Sequence, residues 1–152
     1  MKHRYEKPPY QPKWILKLQV WLLRRHLLPA FNKQCMVITT TGRRSGRRHT
    51  VPIGYVHDGS AYLAINMGGH SSWYLNALAN SCVTLEVDGK VFDAHAERVP
   101  VDTPDCLERM LNVYRRERPG TFEDFLQISL DVPIDQLMDI GKYVSFIRFN
   151  PV

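Results

Sequence analysis

The chain has 152 residues, 44% of them hydrophobic and 23% charged, which suits one soluble domain with a real core. No apolar run is long enough to span a bilayer, and MKHRYEKPPYQPK carries no signal-peptide pattern. Cys35, Cys82 and Cys106 are scattered without a CxxC pair, which argues against a disulfide framework or a zinc site and suits a reducing, cytoplasmic setting. The net charge of +5 is unevenly spread: residues 1–57 hold twelve Lys/Arg against the single acid Glu6, and residues 58–152 hold eight against fourteen acids. The first third should therefore attract an anion, whether a phosphate-bearing ligand, a nucleic acid or an acidic membrane.

In chain order, residues 1–12 are polar and proline-rich and predict a flexible arm. Residues 13–28 predict a helix stopped by Pro29, with Lys13, Lys17 and Arg24 on one narrow stripe and Trp, Leu, Ile and Val over most of the rest. Such a helix is buried in the core, in a homodimer partner or in a peripheral membrane contact. Core or dimer burial is the favoured use.

Strands follow. CMVITTT (35–41) and HTVPIGYV (49–56) read as a hairpin with a long basic loop. Asp58-Gly59 signals a turn into AYLAIN (61–66). SWYLNALAN (72–80) reads as a short helix capped by Ser71 or Ser72. CVTLEV (82–87) and VFDAHAERV (91–99) form another hairpin across Asp88-Gly89, with Phe92, Ala94 and Ala96 on one face and Asp93, His95 and Glu97 on the other. Residues 103–118 predict an amphipathic helix capped by Thr103 and ended by Pro119-Gly120. A further turn or two of helix is expected at 122–129, and YVSFIRF (143–149) is a closing strand. The sum is one α+β domain, a small antiparallel barrel of about six strands with flanking helices.

Several chemistries find no motif. The six histidines make no HxxxH or HExxH, and there is no GxSxG elbow and no Walker-type loop, so no metal site is expected. His95 with Asp93 and Glu97 reads as a solvated strand face, and Cys82 as a small buried strand cysteine. What stands out is TGRRSGRR (41–48). Its glycines permit a tight path that frees amide N–H groups, its arginines offer forked donors, and Ser45 adds a hydroxyl. Nucleic acid is disfavoured as the anion because no base-stacking aromatics are interleaved with the arginines.

The combination TTTGRRSGRRHTVPIGYVHDGSAYLAIN, then the Gly68-Gly69 pair, WYLN and Ala79-Asn80 resembles the deazaflavin-dependent nitroreductase and quinone reductase family of the split β-barrel flavin-binding superfamily. The resemblance covers about residues 35–100 and implies a barrel core with a cofactor site there; residues 101–152, the helical segment and closing strand, match poorly. It implies the 8-hydroxy-5-deazaflavin coenzyme F-420, a flat ring with a phosphodiester and an oligoglutamate tail. Arg43, Arg44, Ser45 and Arg48 match the positions that hold phosphate and tail. Pro52 and Ile53 would lie beneath the ring. Met67, Gly68 and Gly69 match the loop that closely approaches the ring, and Trp73, Tyr74 and Asn76 match the helix beside it.

Three departures stand out. Met67 replaces a frequent lysine, the loop after Gly69 is short, and Ser81 replaces a frequent proline. The implied reaction is hydride transfer to a quinone, nitro compound or activated enone, with Tyr74, Tyr114 or solvent supplying the proton. Tyr114, Phe122 and Phe125 would help wall the acceptor pocket. A flavin mononucleotide enzyme on the same barrel and a non-enzymatic anion-binding module are the alternatives.

Overall fold

The computed structural model describes residues 12–27, 34–67, 71–120, 133–141 and 144–152. The β-branched run that was read as a strand is β1 (Cys35–Thr41), and it pairs over its full length with β2 (Arg48–Gly54). β3 (Val56–Asp58) turns into β4 (Ala61–Met67) through Gly59, whose φ of +63° is the left-handed conformation the turn requires. β5 (Cys82–Val87) and β6 (Lys90–Val99) meet across Asp88 and Gly89, at φ +49° and +75°, the paired positive values that match hairpin twist. β7 (Val144–Pro151) completes the set.

Among the described residues seven strands are present rather than six, because HTVPIGYV breaks at Tyr55 into β2 and β3. The order is β2-β1-β5-β6-β7-β4-β3, so these two strands, one residue apart in the chain, are the outermost in the sheet. Laid flat, their separation would be about 29 Å, six spacings of about 4.8 Å. Two peptide units span only about 7 Å. The sheet must therefore curl until its edges approach at this corner, without a ladder between β2 and β3 among the described residues, and this curl is what makes it a split barrel. Arg118 holds the corner where the chain leaves β2: its Nη2 donates to the carbonyls of Gln34 (2.6 Å) and Tyr55 (2.9 Å). β7 is not an edge; it pairs with both β6 and β4 and joins the halves.

Alternation sorts the core into two main layers. The inner face carries Met36, Ile38, Leu85, Ile147 and Phe149, all fully buried. α2 (Ser72–Ala79) packs on this layer through Tyr74 and Ala77. The outer face of β4 and β7 carries Leu63 and Phe146 beneath α3 (Pro104–Glu117) and α4 (Ile134–Gly141). α3 has the expected cap, Thr103 Oγ1 accepting from the Cys106 N–H at 3.3 Å. Ser71 occupies the N-cap of α2, but its side chain makes no capping bond. α4 was not anticipated, and the turns expected at 122–129 lie outside the described residues.

α1 (Lys13–Arg24) ends before the predicted residue 28. His26 takes φ +52°, and the N–H groups of His26 and Leu27 bond back to the carbonyls of Leu23 and Leu22, a Schellman stop that needs no proline. α1 rests on the outer face of β1, Val20 and Leu23 against Val37.

Candidate functional site

The strand register gathers one end of the barrel. Thr41 lies opposite Arg48 there, Met67 opposite Val144, and Phe146 opposite Val99. The basic turn between β1 and β2, the exit of β4 and the entry to α2 thus share this end.

The turn is closed by backbone bonds: the Gly42 N–H donates to Arg47 O (2.7 Å) and the Gly46 N–H to Gly42 O (2.9 Å). Gly46 has φ +68°, and a Cβ on Gly42 would stand 2.7 Å from Ser45 Oγ and 2.8 Å from His49 Nε2. Gly46 is thus favoured by conformation, whereas a Cβ on Gly42 would displace the exposed side-chain ends of Ser45 and His49. Ser45 Oγ accepts the Arg47 N–H at 3.2 Å, which braces the turn and leaves its own O–H to donate.

The arginines divide into two kinds. Arg43 is tied to α2: its N–H and its Nη1 both donate to Asn76 Oδ1, at 3.2 and 3.0 Å, while Asn76 Nδ2 donates to Thr40 Oγ1 at 3.4 Å. Arg48 reaches over the outer face, its Nη2 donating to Thr84 Oγ1 (2.8 Å), which donates to Asp93 Oδ1 (2.9 Å). Arg44 and Arg47 are exposed, and their guanidinium groups have no hydrogen bond or ion pair among the described residues. The turn is held rigidly by its base and presents two unspent guanidiniums outward. An anion therefore meets a pre-formed loop, and only the two exposed arginine side chains must be ordered on binding.

Asn66, on β4 one residue before Met67, is 1% exposed, and among the described residues neither polar atom of its side chain has a hydrogen-bond partner. It shares the inner face with Ala64 and Tyr62, opposite Ser145. An unmet buried amide costs about 1–3 kcal/mol, so a partner for it is expected, and a bound ligand is one candidate. It offers one acceptor and two donors, a match for a heterocycle edge that carries both carbonyls and N–H groups.

The other expected residues are placed as follows. Pro52 and Ile53 sit on opposite faces, Pro52 outward beside Val37 and Ile53 buried inward beside Met36, so only their backbone could serve one ligand side. Met67 ends β4; Gly68 and Gly69 are outside the described residues, as are Phe122 and Phe125. Trp73 and Tyr74 stack edge to face, centroids 5.9 Å apart. Tyr74 and Tyr114 are not brought together: Tyr74 belongs to the inner layer and Tyr114 to the outer one, with the sheet between them. Tyr114 donates to Leu63 O at 3.5 Å and stands 5.8 Å from the Phe146 ring. Burial pushes its hydroxyl well above the usual phenol range, with Arg118 pulling the other way. This is the environment of a packing residue. Tyr114→Phe should cost about 1 kcal/mol in denaturant unfolding and leave turnover unchanged; a collapse of turnover with stability intact would place Tyr114 in the chemistry.

Cys82 is exposed rather than buried, directly across from the equally exposed His95. Arg47, Asn66 and Thr40, which the structure brings to this end of the barrel, were not among the expected site residues. Asn66 had a signal, a polar residue at an inward position of AYLAIN; Arg47 lay within the basic run already singled out, and Thr40 became visible only through its contact with Asn76.

The curled sheet and flanking helices define the split β-barrel class. Residues 24–134 match the model of the F420H(2)-dependent quinone reductase family, so the chain belongs to that family and is a deazaflavin-dependent oxidoreductase. Solved structures agree on the fold. An F420-H2 dependent reductase, FDR-A, aligns at 21% identity over 77% of this chain and 94% of its own, with a TM-score of 0.53. A domain-swapped dimer aligns at 19% identity over 90% of this chain and 97% of its own, TM-score 0.56. The heme storage protein HutZ from Vibrio cholerae aligns at 14% identity over 90% of both chains, TM-score 0.53. At these identities the likeness speaks to the fold alone.

Proposed function

We propose that the protein reduces an electron-poor acceptor, a quinone, nitro compound or activated enone, with the reduced deazaflavin coenzyme as hydride donor. The observation that carries this reading is the braced turn with two unspent arginines, in a chain of this family. Arg44 and Arg47 would take the phosphodiester and glutamate oxygens, with the Ser45 hydroxyl as an added donor. Arg43 and Arg48 would add charge from their anchored positions, and Asn76 keeps the turn in place. Met67, Gly68 and Gly69 would form the close-approach loop, with backbone support from Pro52 and Ile53 and an aromatic wall from Trp73. Asn66 would meet the ring edge, which relieves its unmet buried amide. When bound, the coenzyme supplies the hydride, and the chain supplies binding, orientation and exclusion of water. Of the two tyrosines we assign Tyr74, on the helix that braces the turn, as the candidate proton donor.

A riboflavin phosphate would also suit the arginines, but the family match names the deazaflavin and gives flavin mononucleotide no support. We also propose a homodimer, since a similar structure is a domain-swapped dimer. The test is titration of purified protein with each cofactor, followed by turnover with quinones and nitroaromatics. Saturable deazaflavin binding and reduction of at least one acceptor class are expected; preference for flavin mononucleotide would overturn the cofactor.

Asn66→Leu gives a second check with opposite signs. Removing the unmet amide should raise the stability of the cofactor-free protein by about 1–3 kcal/mol. Coenzyme affinity should fall at the same time. A stability loss instead would mean that the amide is satisfied in the folded protein.

A further inference from the structure

α1 buries Val20 and Leu23 against β1, and the side opposite is not polar. At 100° per residue, Trp14, Leu18 and Trp21 point directly away from the sheet, and they are 66%, 46% and 50% exposed. Lys13, Lys17 and Arg24 form a row along one flank, all exposed. Arg25 follows on the outward side, with its guanidinium 5.5 Å above the Trp21 ring. The helix contains no acid. Arg24 grips Glu86 of β5 through two bonds of 3.0 and 2.8 Å, which fixes the helix on the barrel with its aromatic side outward.

We infer that the outward face of α1 lays the protein on an anionic lipid surface. Two tryptophans, a leucine and a basic flank are what the headgroup boundary accepts: rings at the interface, cationic stems reaching to phosphates. Twelve residues rise about 18 Å, well short of the ~30 Å hydrocarbon core, so the helix lies in the plane of the surface. No helix among the described residues is long and apolar enough to cross a membrane. A second copy fits this face less well. A two-fold contact sets a patch against itself, and here it would bring the basic rows together with no acid on the helix to relieve them. An anionic bilayer supplies the missing charge. The inference stands on α1 alone and does not depend on the cofactor.

The experiment is flotation of the full chain with vesicles of phosphatidylcholine containing phosphatidylglycerol, against vesicles of phosphatidylcholine alone. Two variants accompany it, Trp14→Ser with Trp21→Ser and Lys13→Gln with Lys17→Gln, and sedimentation equilibrium is run on each. These side chains face solvent, so circular dichroism and melting should match the parent protein. The parent should prefer the anionic vesicles at least tenfold, and high salt should weaken it. The tryptophan pair should lose binding at least tenfold, and the lysine pair should lose the preference for anionic lipid. Failure to float with anionic vesicles, or equal flotation of the tryptophan variant, would overturn the inference. So would a parent dimer that the tryptophan variant dissociates while neither protein binds vesicles, since a second copy would then cover the face.

Discussion

Replacing Arg44 and Arg47 together by alanine is expected to weaken deazaflavin binding by about 10²–10⁴-fold. Each guanidinium offers charge-assisted hydrogen bonds worth about 1.5–3 kcal/mol, and about 1.4 kcal/mol is tenfold in affinity. Folding stability should change by no more than ~0.5 kcal/mol, because both side chains are exposed and have no partner among the described residues. Fluorescence titration and thermal unfolding of the same preparations separate the two effects. Unchanged affinity would remove the turn from the binding site.

Asn76→Ala should damage stability and binding together. Asn76 is 4% exposed, and its carboxamide holds both the backbone and the guanidinium of Arg43 while reaching Thr40, itself fully buried. Losing those bonds should cost about 2–4 kcal/mol, as one of them is to a charged group and the polar atoms left behind are shielded from water. With its brace gone, the turn must be ordered at the moment of binding, so affinity falls as well. Asn76→Asp separates the two roles. A carboxylate keeps both acceptor bonds to Arg43 and can receive the Thr40 hydroxyl, so stability should largely return. Its charge opposes an anionic ligand, so affinity should not. Recovery of both would mean that the turn is not an anion site.

The local signals in this sequence were dependable where the structure they specify is local. Asp58-Gly59 and Asp88-Gly89 gave their hairpins, and Thr103 gave the start of α3. The alternation of VFDAHAERV correctly separated Ala94 and Ala96 from Asp93, His95 and Glu97. What escaped was imposed from a distance. HTVPIGYV is continuous as a sequence, and it breaks at Tyr55 because closure of the sheet requires the chain to pass from one edge to the other. α1 stops through a left-handed His26, a residue that advertises no such role. α4 is eight residues long, too short for its periodicity to show.

The site follows the same division. Four arginines around two glycines were legible as an anion cradle. Which of them are tethered was not, because Asn76 and Thr84 lie 33 and 36 residues further along the chain. That Pro52 and Ile53 face opposite ways follows from strand alternation, but support of one ring by both residues had been carried over from the resemblance.

The central claim is that the basic turn holds the anionic part of the coenzyme. The most direct test is to compare the affinity of the parent protein for the intact coenzyme with its affinity for the same ring system lacking the phosphodiester and glutamate tail. The same comparison is then made for Arg44→Ala with Arg47→Ala. The account predicts that the parent protein binds the intact coenzyme about 10²-fold or more tightly than the truncated ring, and that the double variant nearly loses this discrimination, as expected when the deleted groups touch each other. If both proteins discriminate equally, the tail is held elsewhere and the account is contradicted.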